Sequence, residues 1–301
     1  MSSQLKNLVP QFIRHGLKHR IEIPSISQIT TQSTGTLGQL DFHLFFQNGQ
    51  TGQFISPWHQ IPLIHNSNNS GSSSEQQQWP LYHYIHEISV GDRKKMEIQT
   101  SLANNPIKQD VSKGRARVFS YGDLPFNYGC MPQTWEDPHA LHDHLLNVNN
   151  FYGSSGNKFV AENAEENQEN QEKSGTTGVD SHFLGDNDPV DVVELSGQPM
   201  ELGTVCTVKI LGIIALIDQG EVDWKVLAVR NDCKLAQELD GVVSVGEKYP
   251  KLLNEVFHWF RYYKTSDGKP ENQFGLGARA MDVDFARSVI QETHLGWQRL
   301  L

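Results

Sequence analysis

A β-hairpin is predicted within residues 35–65 from the alternation of apolar and polar positions. Phe42, Leu44 and Phe46 alternate with His43, Phe45 and Gln47, and the pair Asn48-Gly49 that follows is a common hairpin turn. Side chains two residues apart lie on the same face of a strand. The pattern therefore indicates an N-terminal hairpin with one apolar face.

Short apolar runs separated by Gly, Pro and Asp continue through residues 79–143 and 183–280. The clearest of them are Thr204–Leu211, Ile213–Ile217 and Lys225–Val229. Short strands joined by frequent turns are typical of a barrel or a sandwich. The predicted fold class is therefore mainly β.

Two helices are predicted near the carboxyl end. One apolar face is formed by Leu252, Leu253, Val256, Phe257 and Phe260, and another by Phe285, Val289, Ile290, Trp297 and Leu301. Asp284 stands just before the second pattern, so we expect it to be the N-cap.

Three segments differ in composition from the rest. Residues 1–30 begin with a basic, amphipathic stretch without acidic residues, which fits a mitochondrial targeting segment or a simple basic tail. Residues 66–78 are rich in Asn, Ser and Gln, and residues 144–182 are rich in Asn and Glu with few apolar side chains. Both are predicted to be flexible loops within a domain that spans residues 35–301.

Composition excludes several classes of function. The chain has 301 residues, of which 37% are hydrophobic and 20% charged, and its net charge is -10. An acidic protein lacks the basic surface that nucleic acids need, and no apolar run approaches the roughly 20 residues that span a bilayer. The three cysteines show no CxxC spacing, so neither a disulfide framework nor a structural zinc site is expected.

Clustered carboxylates give the chemical signal. Asp186, Asp188 and Asp191 fall within six residues, and Asp218 and Asp223 follow the apolar run that ends at Ile217. Like charges this close destabilise one another unless a cation or water screens them. A solvated turn is the alternative for the first cluster, which lacks the Gly and Glu of an EF-hand loop.

Basic side chains accompany these acids. Lys95 and Glu97 are two residues apart and share one face of a strand. Oxygen ligands without His or Cys suggest Mg²⁺ or Mn²⁺, and Arg117, Lys225, Lys264 and Lys269 could hold the oxygens of a phosphate substrate. Ordinary surface charges are the alternative interpretation of these lysines.

Several ordered motifs resemble the soluble inorganic pyrophosphatases of the first family, in their eukaryotic form. The motifs are Asn105-Pro106-Ile107-Lys108-Gln109-Asp110, Asn127-Tyr128-Gly129, Pro132-Gln133-Thr134-Trp135-Glu136-Asp137-Pro138, Gly185–Asp191, Asp223-Trp224-Lys225 and Asp267-Gly268-Lys269-Pro270-Glu271-Asn272. The resemblance implies a five-stranded OB-like barrel with flanking helices and several bound Mg²⁺ ions, with Mn²⁺ or Zn²⁺ as substitutes.

The resemblance also implies residue roles. Asp188 would deprotonate the attacking water, and Glu87 matches an outer acidic position. The implied metal ligands are Asp186, Asp191, Asp223, Asp218 and Glu97. The implied substrate-binding residues are Arg117, Lys95, Tyr128, Lys225, Tyr263, Lys264 and Lys269.

The chain departs from the family pattern at three places. Leu124 stands where the family usually carries a second tyrosine, and Tyr121 could replace that tyrosine only if the shortened segment before it shifts. Ser89-Val90-Gly91 replaces the usual Pro-Arg-Trp, and Gln219 replaces an acid often found beside Asp218.

The resemblance implies Mg²⁺-dependent hydrolysis of inorganic diphosphate by a homodimer. The composition of residues 1–30 predicts a mitochondrial location, with the cytoplasm as the alternative. The alternative function is a non-catalytic scaffold that has retained the pyrophosphatase fold. A scaffold would be expected to have lost some of the clustered acids, and all of them are present.

Overall fold

The computed structural model describes residues 25–65, 80–140, 159–160 and 184–301. The predicted loop 66–78 lies outside the described residues, as does the predicted insertion 144–182 apart from the backbone of residues 159–160. Of the predicted targeting segment, only residues 25–30 are described.

The described part of the chain is mainly β, as predicted. Its strands are β1 (Ile29–Thr34), β2 (His43–Asn48), β3 (Phe54–Ile55), β4 (Tyr82–Ile88), β5 (Met96–Ile98), β6 (Ile107–Gln109), β7 (Val111–Ser112), β8 (Arg115–Ala116), β9 (Asn127–Cys130), β10 (Phe159–Val160), β11 (Asp191–Glu194), β12 (Val205–Asp218), β13 (Glu221–Arg230), β14 (Gln273–Phe274) and β15 (Arg279–Ala280).

The N-terminal strands form one sheet in the order β1-β2-β6-β5, with β3 paired to β2. The predicted alternation is confirmed, because Phe42, Leu44 and Phe46 are buried while the residues between them are half-buried. The predicted turn after Asn48 joins β2 to β3, and β1 adds an outer strand along β2.

The central sheet runs β13-β11-β9-β4-β12-β14, and β12 also pairs with β13. β11 and β13 are parallel, whereas the other neighbours in this sheet are antiparallel. The two apolar runs predicted between residues 204 and 217 form one strand, β12, with an irregularity between Ile210 and Gly212. Residues from sequence-distant segments therefore meet at the ends of adjacent strands.

Helices flank this sheet. They are α1 (Pro57–Gln60), α2 (Leu235–Glu238), α3 (Val242–Lys248), α4 (Pro250–Tyr262) and α5 (Val283–Leu300), with 3₁₀ turns at Ile26–Gln28 and Thr265–Asp267. The two predicted helices correspond to α4 and α5. The predicted N-cap of α5 is wrong: the side chain of Asp282 accepts the Phe285 N–H, and Asp284 lies within the first turn, 3.3 Å from Arg287.

Both faces of β12 and β13 are buried. On one face α4 packs with Val256 and Phe260 in the cluster that includes Leu216 and Leu227. On the other face α5 covers Trp224, whose ring centroid lies 6.0 Å from that of Phe285. Burial of large apolar side chains contributes about 1.5–3 kcal/mol each, so this hairpin is firmly anchored.

Gly129 permits the close approach of β9 and β4. A Cβ atom there would lie 2.0 Å from the Ile85 carbonyl oxygen, a backbone atom that cannot move without breaking the sheet. Gly129→Ala is therefore expected to lower the free energy of unfolding by about 2 kcal/mol or more, measured by chemical denaturation.

Gly241→Ala is the matched control, because its Cβ would meet no atom closer than 3.7 Å. We expect this control to change stability by less than about 1 kcal/mol. Equal losses in the two variants would contradict the steric explanation.

Candidate active site

A cavity of about 270 Å³ opens at the ends of strands of the central sheet and beside β5. The structure brings all of the sequence-predicted site residues to its wall, although they come from segments up to about 180 residues apart. They are Glu87, Lys95, Glu97, Arg117, Tyr128, Asp186, Asp188, Asp191, Asp218, Asp223, Lys225, Tyr263, Lys264 and Lys269. A larger groove of about 610 Å³ lies along α4 and contains none of them.

The loop before β11 carries Asp186 and Asp188, and β11 itself begins at Asp191. Hydrogen bonds fix the shape of this loop. The Asp188 N–H donates to Asp186 Oδ1 at 3.0 Å, and Asn187 between them adopts a left-handed conformation with φ of 74°. The Trp135 indole N–H donates to the side-chain and backbone oxygens of Asn187. Trp135 thus acts as a packing residue that holds the acidic loop in place.

Three acids of the site form a close cluster. Each offers a carboxylate oxygen, and these atoms lie within 4.8 Å of one another; the acids are Glu136, Asp186 and Asp223. Glu136 is fully buried, and both of its oxygens accept the Trp224 N–H, at 3.1 and 3.3 Å. The sequence prediction gave Glu136 no role, although it quoted the motif that contains it.

Lys225 is 2% exposed and lies between Asp191 and Asp223. Its ammonium donates to Asp191 and Asp223, and the Tyr128 hydroxyl also donates to Asp191. Burial by itself would lower the pKa of Lys225, but the two carboxylates outweigh burial and raise it. Lys225 is therefore a permanent cation at the centre of the acidic wall.

A second charged network lies across the cavity. Lys95 Nζ is 2.7 Å from Glu97 Oε2 and 3.4 Å from Asp110 Oδ2, and Arg117 contacts the same Asp110 oxygen at 2.8 Å. Lys95 and Glu97 thus share one face, as predicted. Asp110 is a site residue that sequence reasoning missed, although it ends the first quoted motif.

Two further side chains complete the wall. Glu87 is 4% exposed and accepts the Ile98 N–H at 2.7 Å; burial, followed by the charge of Asp191, raises its pKa. Lys264 is 3% exposed and pairs with Asp218. This ion pair favours a site role for Lys264 over a role in capping the end of a helix.

The charge balance of the cavity shows that its residues fit a divalent metal. Eight acidic side chains but only five basic ones line it, so the wall is acidic before any anionic substrate enters. Burial raises the pKa of Asp186 to about 7, and the charges of Asp188 and Asp191 add to the effect. A hard divalent cation, which prefers carboxylate oxygens, would relieve this repulsion.

Neither Leu124 nor Tyr121 supplies the hydroxyl of the family's second tyrosine to the cavity. Leu124 is 2% exposed and packs in the core, and the Tyr121 hydroxyl lies 2.9 Å from His258 Nε2 in the groove along α4. Tyr121 therefore does not substitute for the missing hydroxyl.

Comparisons with known proteins agree with this geometry. The family description "Inorganic pyrophosphatase" matches residues 84–298. The chain belongs to the inorganic pyrophosphatase family. Membership of this family implies the use of divalent metal ions, and the acidic cluster described above is consistent with it.

Relatives match over most of the chain. A protein of Arabidopsis thaliana named soluble inorganic pyrophosphatase 6, chloroplastic, is 35% identical over 91% of this chain and 75% of its own length. The human inorganic pyrophosphatase is 34% identical, over 92% of this chain and 80% of its own.

Solved structures give the same result. The N-terminally truncated vacuolar soluble pyrophosphatase of Trypanosoma cruzi, solved in complex with PPi, has a TM-score of 0.74 and 31% identity, with 91% of each chain covered. The helices in the described part of this pyrophosphatase-family chain lack the length and apolarity needed to cross a membrane.

Metal binding by this pyrophosphatase-family chain is expected to weaken as the pH falls below about 7. In the metal-free protein partial desolvation, followed by the charges of Glu97 and Asp191, raises the pKa of Asp188 to about 7, as burial does for Asp186. At pH 6 both carboxyls are largely protonated, so a cation must displace protons, whereas above pH 8 it meets carboxylates.

Calorimetric titration with Mg²⁺ in two buffers of different ionisation enthalpy measures these protons. We expect one to two protons to be released at pH 6 and almost none above pH 8. Asp188→Asn, which removes one titrating carboxyl, should release fewer. An affinity that stays constant between pH 6 and 8 would contradict the assignment.

Proposed function

We propose that this chain is an inorganic diphosphatase that hydrolyses diphosphate to two phosphates with Mg²⁺. The observation that carries the proposal is the convergence of eight acids and five cations on one cavity of a chain that belongs to the pyrophosphatase family. Diphosphate is itself a compact polyanion, so it needs both cationic side chains and metal ions to enter an acidic cavity.

The proposed metal ligands are the acids of the cavity wall that the family resemblance implies. Asp186, Asp191 and Asp223 would hold the first ion, with Asp191 shared with a second one, and Glu97 and Asp218 would hold ions that arrive with substrate. When bound, these ions neutralise substrate oxygens and lower the pKa of a coordinated water. Glu136 supports the cluster, because its double contact with the Trp224 N–H fixes the backbone beside Asp223.

Asp188 is the proposed general base. It lies between two proposed metal ligands in sequence, and its side chain keeps solvent contact at the cavity. A base must reach the water that it deprotonates and must have a pKa suited to the working pH. Asp188 takes the proton of the attacking water while the phosphorus–oxygen bond to the leaving phosphate breaks.

The cationic side chains and tyrosines hold the two phosphoryl groups. Arg117 and Lys95 are oriented by Asp110, and Lys264 is oriented by Asp218. Tyr128, Tyr263, Lys225 and Lys269 complete the proposed substrate-binding set, and Glu87 supports β5 through the Ile98 N–H. These groups would stabilise negative charge that builds up on the phosphoryl oxygens in the transition state.

The scaffold alternative is not favoured. A chain that had lost catalysis would no longer need so many mutually repelling carboxylates, since unscreened acids cost stability. Leu124 removes one hydroxyl but leaves each proposed metal ligand on the cavity wall.

Three finer aspects belong to this proposal. The succession β13-β11-β9-β4-β12, with β12 paired back to β13, supports an OB-like five-stranded barrel. A homodimer is proposed from the resemblance and can be tested by light scattering. A mitochondrial location stays a prediction for residues 1–30, with the cytoplasm as the alternative; fluorescence microscopy of the tagged full chain would decide.

Phosphate release from diphosphate by the purified protein tests the activity. We expect release with Mg²⁺ and its loss on addition of EDTA. Asp188→Asn should lower kcat by about 100-fold or more, because the base is lost, while folding and Mg²⁺ binding persist. Asp191→Ala should lower activity further, because it removes a ligand shared by two ions.

Asp232→Asn is the matched control, since Asp232 is an exposed acid outside the cavity whose partner is Arg230. Its activity should equal that of the wild type. No phosphate release by folded, metal-loaded wild type would overturn the proposed function, and full activity of Asp191→Ala would overturn the residue assignment.

A further inference from the structure

Lys269 differs from the other cations of the cavity in what it contacts. Each of the other four cations lies within 4 Å of at least one carboxylate; they are Lys95, Arg117, Lys225 and Lys264. Within the described ranges, the contact of Lys269 is instead a neutral amide: its Nζ donates to Gln219 Oε1 at 3.1 Å. Its positive charge is therefore not neutralised by an ion pair in the described part of the chain.

Two backbone turns carry Gln219 and Lys269 to the rim of the cavity. Gln219 and Gly220 form the tight turn between β12 and β13, with φ of 56° and 95°. Lys269 follows the 3₁₀ turn that ends at Gly268, and its N–H donates to the Lys264 carbonyl at 3.3 Å. Both side chains are exposed and both line the cavity, so they stand where an anion enters.

An amide and a carboxylate would orient this lysine equally well but with different electrostatic consequences. An amide oxygen accepts a hydrogen bond and leaves the ammonium charge intact, whereas a carboxylate would neutralise it. A cation at the mouth of a cleft raises the local concentration of an anionic ligand and its rate of association. Such a charge acts mainly on capture of the substrate and little on the chemical step.

We propose that Gln219 is a positioning residue that presents Lys269, with its charge not neutralised, to the outer phosphoryl group of the entering diphosphate. The inference rests on the proposed function and adds to it a determinant of substrate affinity. Gln219 acts through Lys269 and does not itself touch the reacting atoms.

Gln219→Glu tests this inference, because the substitution keeps the shape and the hydrogen bond but neutralises Lys269. We expect KM for diphosphate to rise about threefold to fivefold, in keeping with an exposed charge pair, with kcat changed less than twofold. The dependence of kcat/KM on salt concentration should become shallower. The dissociation constant of imidodiphosphate, a non-hydrolysable analogue, should rise by the same factor in calorimetry.

Two controls test whether the effect comes from the contact between Gln219 and Lys269. Gln32→Glu adds the same charge on β1, at an exposed position in the N-terminal sheet, and should leave KM and the salt dependence unchanged. In a Lys269→Gln background, Gln219→Glu should not produce this threefold to fivefold rise in KM, because there is no ammonium left to neutralise.

The outcomes separate the two proposals. An active wild type whose KM is unaffected by Gln219→Glu, or affected equally by Gln32→Glu, would overturn this inference alone. A fall in kcat with constant KM would also overturn it. Absence of turnover in the wild type would overturn the proposed function and this inference with it.

Discussion

Mutual repulsion among carboxylates is the constraint on which the rest of the site depends. Acids from three separate segments converge on one cavity. Burial raises the pKa values of Asp186, Asp188 and Asp223, and the charges of neighbouring acids add to the effect. The protein's own cations offset part of this repulsion. The clearest case is Lys225, which is buried between Asp191 and Asp223. The remaining negative charge on the cavity wall is consistent with the use of divalent metal ions by the family.

The strength of the surrounding packing allows the fold to tolerate this repulsion. β12 and β13 are buried on both faces, so the end of β12 that carries Asp218 and the strand that carries Asp223 cannot separate without exposing apolar side chains. The acidic loop before β11 is held by the Trp135 indole, and Trp135 itself is tied to α5 through its N–H to the Thr293 carbonyl. The carboxyl-terminal helix α5 thereby supports the acidic loop, about a hundred residues away in sequence.

Much of this could be predicted from sequence, for two different reasons. Alternation and helical spacing located the hairpin and the two long helices, because burial of one face imposes a period on the chain. The site residues were predicted from ordered motifs, which identify the residues but do not show where their side chains lie in space. Glu136 was missed because it lies in a loop between regular elements, where no periodicity indicates that a carboxylate turns inward.

Asp110 and the N-cap of α5 were missed for a different reason. The six residues between Asp110 and Arg117 form a two-stranded ribbon, β7–β8, that folds the acid back onto the arginine. For α5, Asp282 and Asp284 are equally good capping residues by type. What decides between them is the extended backbone at Asp282, which is a property of the connection from β15 and not of the helix pattern.

Leu124, which stands where the family usually carries a tyrosine, changes which hydroxyl groups line the cavity. Its backbone still joins the shortened segment to the loop after β4, through contacts with Gly91 and Asp92, while its side chain adds to the core. The hydroxyls on the described cavity wall then belong to Tyr128 and Tyr263, and Tyr128 already donates to Asp191. In the proposed function, Tyr263 is therefore the hydroxyl that would contact substrate, beside the Lys264–Asp218 pair. The proposal therefore assigns hydrogen-bond donation to the substrate to this tyrosine and the neighbouring cations, while each of the proposed metal ligands remains on the cavity wall.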